Sequence, residues 1–159
     1  MKTFKRDDVL SYRDMCDAEN VQTLQRGMNF RLNSNYSVVL MSQRPNAPYK
    51  DGVAEDGQTI IYEGHDVSKT EGSPHPKSID QPHTLPSGKL TQNGYFLTAV
   101  DKFKNGSAPV ELVKVYEKIL PGVWSLKGIF DLIGYEEAHD GARNVFRFEL
   151  KLSLKQEIN

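Results

Sequence analysis

Cysteine is nearly absent: Cys16 is the single one in 159 residues. No disulfide can form within the chain, and a lone thiol fits a reducing, cytoplasmic setting. Its ordinary place is a thiol at the end of a helix, in the core or at the surface, and no histidine is set to make it a nucleophile. Long apolar runs are missing too, since none approaches the roughly 20 residues that cross a bilayer. The opening Met1-Lys2-Thr3-Phe4-Lys5-Arg6-Asp7-Asp8 has no apolar stretch of the signal-peptide kind. Neither Gly-x-Gly-x-x-Gly nor the Gly-x4-Gly-Lys-Ser/Thr loop occurs, so no glycine-rich phosphate cradle is present. The four histidines, His65, His75, His83 and His139, stand without a His-x3-His or Cys-x2-Cys spacing, and no metal or other cofactor is expected. Asp7-Asp8 and Glu136-Glu137 are adjacent pairs whose side chains diverge, as solvated charges do.

An excess of either charge is also lacking, the net charge being −1, which speaks against bulk attraction to nucleic acid. The distribution says more. Residues 1–50 are basic on balance, residues 51–100 acidic, and residues 101–159 neutral. Basic patches around an acidic middle suit a few placed phosphate contacts about a pocket that needs a carboxylate.

What is there reads as one domain over residues 1–159, a length able to bury a sizeable core. Residues 5–18 carry Val9, Tyr12 or Arg13, and Cys16 at helical spacing, with Asp7 and Asp8 where the helix dipole favours acids. With a second short helix at Val21-Gln22-Thr23-Leu24, this makes residues 1–23 a helical lead-in. Tyr36-Ser37-Val38-Val39-Leu40-Met41 is a strand, residues 42–58 a loop, and Thr59-Ile60-Ile61-Tyr62 a second strand ended by Gly64. Residues 68–89, rich in Ser, Pro, His and Gly, form a long surface loop of the sort that carries function or mobility. Residues 90–103 put Phe96, Ala99, Val100 and Phe103 on one helical face, closed by Asn105-Gly106. Residues 109–120 and 129–135 read as strands. Phe146, Phe148, Leu150 and Leu152 alternate with Arg147, Glu149 and Lys151, a half-buried strand with one wet face. The expected class is α+β: a curved, mainly antiparallel sheet or open β-barrel with two or three helices.

One constellation carries chemistry. Tyr49, Asp51 and Tyr62 bring two aromatic rings and a carboxylate together around an acidic turn. A base taken out of a duplex loses stacking worth a few kcal/mol, which aromatic faces can replace. A carboxylate accepts a hydrogen bond from the cytosine N4 amino group, a donor thymine lacks. Asp56, beside Gly57, is the rival carboxylate, and two half-buried tyrosines with a solvated aspartate fit the same residues.

The landmarks also follow an order resembling that of SRA (YDG) domains. Tyr36-Ser37-Val38-Val39-Leu40 is similar to the family's Tyr-Ser strand, and Tyr49-x-Asp51 to the tyrosine and aspartate of its base pocket. Ile61-Tyr62-Glu63-Gly64-His65-Asp66 resembles its Tyr-x-Gly turn. Asp80-Gln81 and Leu90-Thr91-x-Asn93 resemble its Asp-Gln-Lys-Leu-Thr-x-x-Asn segment. Gly128-Ile129-Phe130 through Tyr135, with residues 146–152, is similar to its closing hairpin. The resemblance covers about residues 24–152, and the Tyr-Glu-Gly-His-Asp form looks most like SRA domains fused to HNH nucleases in bacterial modification-dependent restriction enzymes. The family's Tyr-Asp-Gly is replaced by Leu126-Lys127-Gly128. The eukaryotic Asn-Lys-Arg finger is not evident, residues 73–86 taking its place, and the segment before Tyr36 is shorter. The hemimethylated-strand preference of the eukaryotic members therefore does not carry over.

The resemblance implies a reader of 5-methyl- or 5-hydroxymethylcytosine in double-stranded DNA that flips the base into a pocket of Tyr49, Asp51, Tyr62, Glu63, Gly64 and His65. Gln25, Arg26, Met28 and Arg31 on one side, and the loop of residues 75–83 on the other, are candidates to fill the vacated duplex space. Arg44, Lys69 and Lys77 are candidates for phosphate contacts. No HNH or PD-(D/E)xK nuclease motif is present, so no catalytic residue is expected here, and the nuclease would lie beyond this chain or on a partner. A homodimer is left open. The alternatives are a PUA-like module that binds RNA or another base, and a complete small nuclease or hydrolase.

Overall fold

A strand that is apolar but for one serine is best covered on both faces, and the run at residues 36–41 is buried at every position in the computed structural model, which describes residues 3–42, 52–53, 56–67, 71–72 and 74–157. In chain order the elements are β1 (Val9–Ser11), α1 (Tyr12–Ala18), β2 (Met28–Asn33), β3 (Tyr36–Met41), β4 (Gly52–Val53), β5 (Thr59–Glu63), a 3-10 turn (Pro76–Ser78), α2 (Gln92–Lys104), β6 (Glu111–Leu120), β7 (Val123–His139) and β8 (Asn144–Leu152). The strands make one open mixed sheet in the order β2-β3-β6-β7-β8-β5-β4, with β1 on β7 beside that path. Among the described residues only β3 and β6 pair in parallel; the other strand pairings are antiparallel. The α+β class read from the sequence, with its mainly antiparallel sheet, is the one observed.

Alternation along β3 divides the interior. Val39 and Met41 point into a core with Ile60, Tyr62, Val113, Val115, Phe130, Leu132, Phe148 and Leu150, closed by Phe96 and Val100 of α2. Tyr36, Val38 and Leu40 point the other way, to Tyr116, Trp124, Leu126 and the Met15 and Cys16 of α1. Each face of the sheet thus has its own helix. The long β7 changes partners along its length: residues 123–125 pair with β1, and residues 130–139 pair with β8. Gly128 lies between, at φ 118°, a backbone state that disfavours any side chain, and a Cβ there would stand 2.9 Å from Gln156 Oε1.

The lead-in differs from the sequence reading. Residues 9–11 are a strand whose Val9 faces solvent, and the helix begins only after Ser11, whose hydroxyl caps it by accepting from the Asp14 amide. Backbone pairing to Trp124 and its neighbours outweighs the local helical spacing. Residues 21–24 form no helix; the Val21 amide donates to Cys16 O and Leu24 packs into the core. β2 was not anticipated, because its polar residues hide a strand whose register shifts between Asn29 and Asn33 around Arg31, at φ 50°. The end of α2 at Asn105 and Gly106 follows the expected signal, while the helix starts at Gln92 rather than at residue 90, capped by the Thr91 hydroxyl.

Candidate functional site

β5 delivers Tyr62 and Glu63 into the turn Gly64-His65-Asp66, and buried amides lock this turn. Gln81 Nε2 donates to Gly64 O at 2.6 Å, while Gln81 Oε1 accepts from the Phe146 amide at 2.8 Å. Asn93, at the start of α2, accepts from the His65 amide at 2.9 Å and donates to His65 O and to Pro82 O, each at 2.9 Å. Gly64 has to be glycine: a Cβ would meet Asn93 Oδ1 at 2.5 Å and Gln81 Oε1 at 2.8 Å. The Asp80-Gln81 and Leu90-Thr91-x-Asn93 landmarks are thus the braces of the turn.

A charged cluster lies beneath it. Arg143, 2% exposed, pairs with Asp66 at 2.6 Å and stands 3.5 Å from Asp140 and 3.9 Å from Glu63. Lys77 pairs with the other oxygen of Asp66 at 2.6 Å. Burial raises the Glu63 carboxyl above the usual carboxylate range against the pull of Arg143 and Lys77. Burial acts on Asp66 the same way, but hydrogen bonds from Lys77, Arg143 and Gln81 outweigh it and hold that carboxyl low. Burial keeps the His65 imidazole below its ordinary value, with nearby Arg26 adding to the effect against Asp66. His65 Nε2 is enclosed and has no hydrogen-bond partner among the described residues.

The candidate residues are distributed as follows. Tyr49, Asp51, Arg44 and Lys69 lie outside the described residues. Tyr62 is 7% exposed, its ring in the core and its hydroxyl donating to Leu40 O at 3.3 Å. Gly27 lies against that hydroxyl, so the loop of Gln25 and Arg26, both exposed, runs beside Tyr62 and His65. Met28 requires correction as an intercalating side chain: it is a core residue of β2, 1% exposed, and presents nothing to a duplex. Arg31 is engaged within the fold; its Nε donates to both Glu111 oxygens at 2.9 and 2.8 Å, and its NH1 to Ser34 O at 2.9 Å. Lys77 is tied to Asp66 as above. Asp56 accepts from the Gln58 and Thr59 amides at 2.8 and 3.0 Å, an exposed turn leading into β5.

Arg143 was missed by sequence reasoning, because Asp140-Gly141-Ala142-Arg143 reads as an ordinary hairpin connection. A separate groove of about 500 Å³ between α2 and the β7–β8 hairpin is lined by Asp80, Asp101 and Glu137 among others, a charge that disfavours phosphate. No helix among the described residues is long and apolar enough to cross a membrane.

No family model and no curated protein matches the chain. Solved structures do. The SRA domain of SUVH5 in complex with fully methylated CG DNA superposes with a TM-score of 0.64 at 18% identity, covering 99% of this chain and 94% of that one. The SUVH5 SRA domain bound to fully hydroxymethylated CG DNA gives 0.63 at 18% identity, over 96% and 91% of the two chains. KRYPTONITE in complex with mCHH DNA, an H3(1–15) peptide and SAH gives 0.62 at 16% identity, over 97% of this chain but 33% of that one. At these identities the likeness establishes the fold, which is that of SRA domains.

Proposed function

We propose that this chain reads a modified cytosine in double-stranded DNA by taking the base out of the helix into a pocket beside the Tyr62–Asp66 turn. The observation that carries the reading is the agreement of fold over 99% of the chain with an SRA domain in complex with methylated DNA. The brace on the turn supports it, because a site that holds an extruded base has to be rigid before the base arrives. Tyr49 stacks on the base and Asp51 accepts from its N4 amino group, while Tyr62, whose ring is in the core, backs the wall of the pocket and Glu63, Gly64 and His65 shape the rim. Gln25 and Arg26 approach the vacated duplex position, while Arg44, Lys69 and Lys77 lie along the phosphates.

The Tyr-Glu-Gly-His-Asp form further suggests a reader that targets a modification-dependent HNH endonuclease, in bacteria, with the nuclease in cis or in trans. On this reading the chain binds without cutting, and incubation of the pure protein with modified plasmid and Mg²⁺ or Mn²⁺ leaves the plasmid intact.

A binding titration across otherwise identical duplexes bearing cytosine, 5-methylcytosine or 5-hydroxymethylcytosine tests the proposal. Preference for a modified duplex is expected, and Asp51→Ala removes about 1–3 kcal/mol of it, the worth of one specific base contact. Equal affinity for all three duplexes, or tighter binding to RNA, overturns the reading.

A further inference from the structure

Three segments meet at Arg143: the turn of residues 63–66, the loop of residues 76–81, and the hairpin of residues 139–144. Its NH1 reaches Asp66 Oδ1 at 2.6 Å and also donates to Pro76 O at 3.0 Å and Ile79 O at 3.3 Å. Its Nε stands 3.5 Å from Asp140 Oδ2, an ion-pair distance without hydrogen-bond alignment. Around it, Gln81 N donates to Asn144 O at 3.0 Å, and Asn144 N to Asp80 Oδ1 at 2.7 Å. Lys77, carried on the loop, closes on the remaining oxygen of Asp66 at 2.6 Å.

Burying a guanidinium among carboxylates is a poor way to gain stability, since desolvation offsets most of the attraction. It is a good way to fix geometry. The NH1 of Arg143 holds acceptors on two neighbouring stretches, residues 63–66 and 76–79, that lie more than sixty positions from it in the chain, while Nε and NH2 stand at ion-pair distance from Asp140 and Glu63. An apolar residue of similar size would leave the Pro76 and Ile79 carbonyls without this donor, so packing alone does not explain an arginine.

We infer that Arg143 is a positioning residue of the reading site. It locks the His65–Asp66 turn and the loop carrying Lys77 into one body, so that the rim of the pocket and its flanking loop hold their spacing before DNA arrives. The inference rests on the reader function proposed above, and it assigns to the β7–β8 hairpin a part in selecting the base without touching it.

Arg143→Lys keeps the charge but replaces the fork by a single ammonium. Asp66→Asn, at a partly exposed position, keeps the volume and removes the ionic partner. Each variant is measured for thermal unfolding, for affinity to duplexes with cytosine and with 5-methylcytosine, and for amide hydrogen exchange at residues 64–67 and 76–81. The expected result is a folded protein that has lost roughly tenfold of its preference for the modified duplex, because a supporting shell has loosened. Affinity for the modified duplex falls more than affinity for the unmodified one, and exchange quickens in both segments. A lower unfolding temperature with the preference intact is the result of a merely structural residue and overturns the inference. So does unchanged exchange in the loop of a folded variant. If Arg143→Lys does not fold, Asp66→Asn decides by the same readouts. A parent protein that shows no preference defeats the reader function itself. In that event, quickened exchange in both segments still supports the coupling, and unchanged exchange overturns it.

Discussion

The hydroxyl of Tyr62 lies against the α-carbon of Gly27, so close that a methyl group on that carbon would overlap it. The backbone of Gly27 is not in the left-handed region, and the next neighbours of such a methyl are at 3.5 Å or beyond. Gly27→Ala is therefore opposed by one oxygen atom. Alone it should cost about 1–3 kcal/mol, the usual range for overpacking. Tyr62→Phe alone forfeits the bond to Leu40 O, worth about 0.5–1.5 kcal/mol. In the double variant the methyl fits, so denaturant unfolding should show a total smaller than the sum of the two single effects. A strictly additive result would place Tyr62 away from Gly27.

Asn93 holds the turn from both sides, accepting from the His65 amide and donating to the carbonyls of His65 and Pro82. Asn93→Ala leaves these buried groups without their partner, each at a cost of about 1–3 kcal/mol if water does not replace it. Asn93→Asp keeps the acceptor but sets a buried carboxylate oxygen against the carbonyls of His65 and Pro82, and should destabilise at least as much as alanine. Equal stability of all three in urea would contradict the brace.

The His65 imidazole sits below its ordinary pKa because burial penalises its charged form. As pH falls below about 6.5, the unfolded chain takes up this proton before the folded one does. Stability due to His65 is therefore present at neutral pH and declines as pH falls toward the folded value. Glu63, whose carboxyl is raised, acts in the opposite sense at lower pH, so the parent alone does not isolate the histidine. Urea midpoints at pH 7.5 and 5.5 should converge in His65→Gln relative to the parent. The same pH dependence in both proteins would assign it to other groups.

Arg26 and Arg31 are close in sequence and differ in role. Arg26 is exposed beside the turn, whereas Arg31 is bonded to Glu111, a buried carboxylate that also accepts from Ser37 Oγ at 2.7 Å. Arg26→Glu should weaken DNA binding and flatten its salt dependence without moving the unfolding midpoint. Arg31→Ala should lower stability by about 1–3 kcal/mol through the abandoned Glu111. A destabilised Arg26 variant with an unchanged salt slope would remove Arg26 from the footprint.

Some elements were plain in the sequence because their signals are local. The mostly apolar run of β3, the alternation of Phe146, Phe148 and Leu150, and the Asn105-Gly106 end of α2 each depend on residues a few positions apart. The landmarks from Tyr62 to Asp66 and from Asp80 to Asn93 were legible as motifs, although the hydrogen bonds between them were not. Other features depended on partners remote in the chain. β1 is a strand because β7 offers it an edge, and a helical spacing over residues 5–18 carries no trace of that edge. Met28 and Arg31 read as exposed loop residues until β3 and Glu111 take up the apolar side chain and the charge. Arg143 shows the limit most plainly: in sequence it is one basic residue in a hairpin, and it becomes the link between three segments only when folding removes water from around it. Periodicity and caps are set by local chain geometry, so the amino-acid sequence alone determines them. A buried charge takes its role from whichever acceptors the fold brings within about 3 Å, and that choice belongs to the tertiary structure.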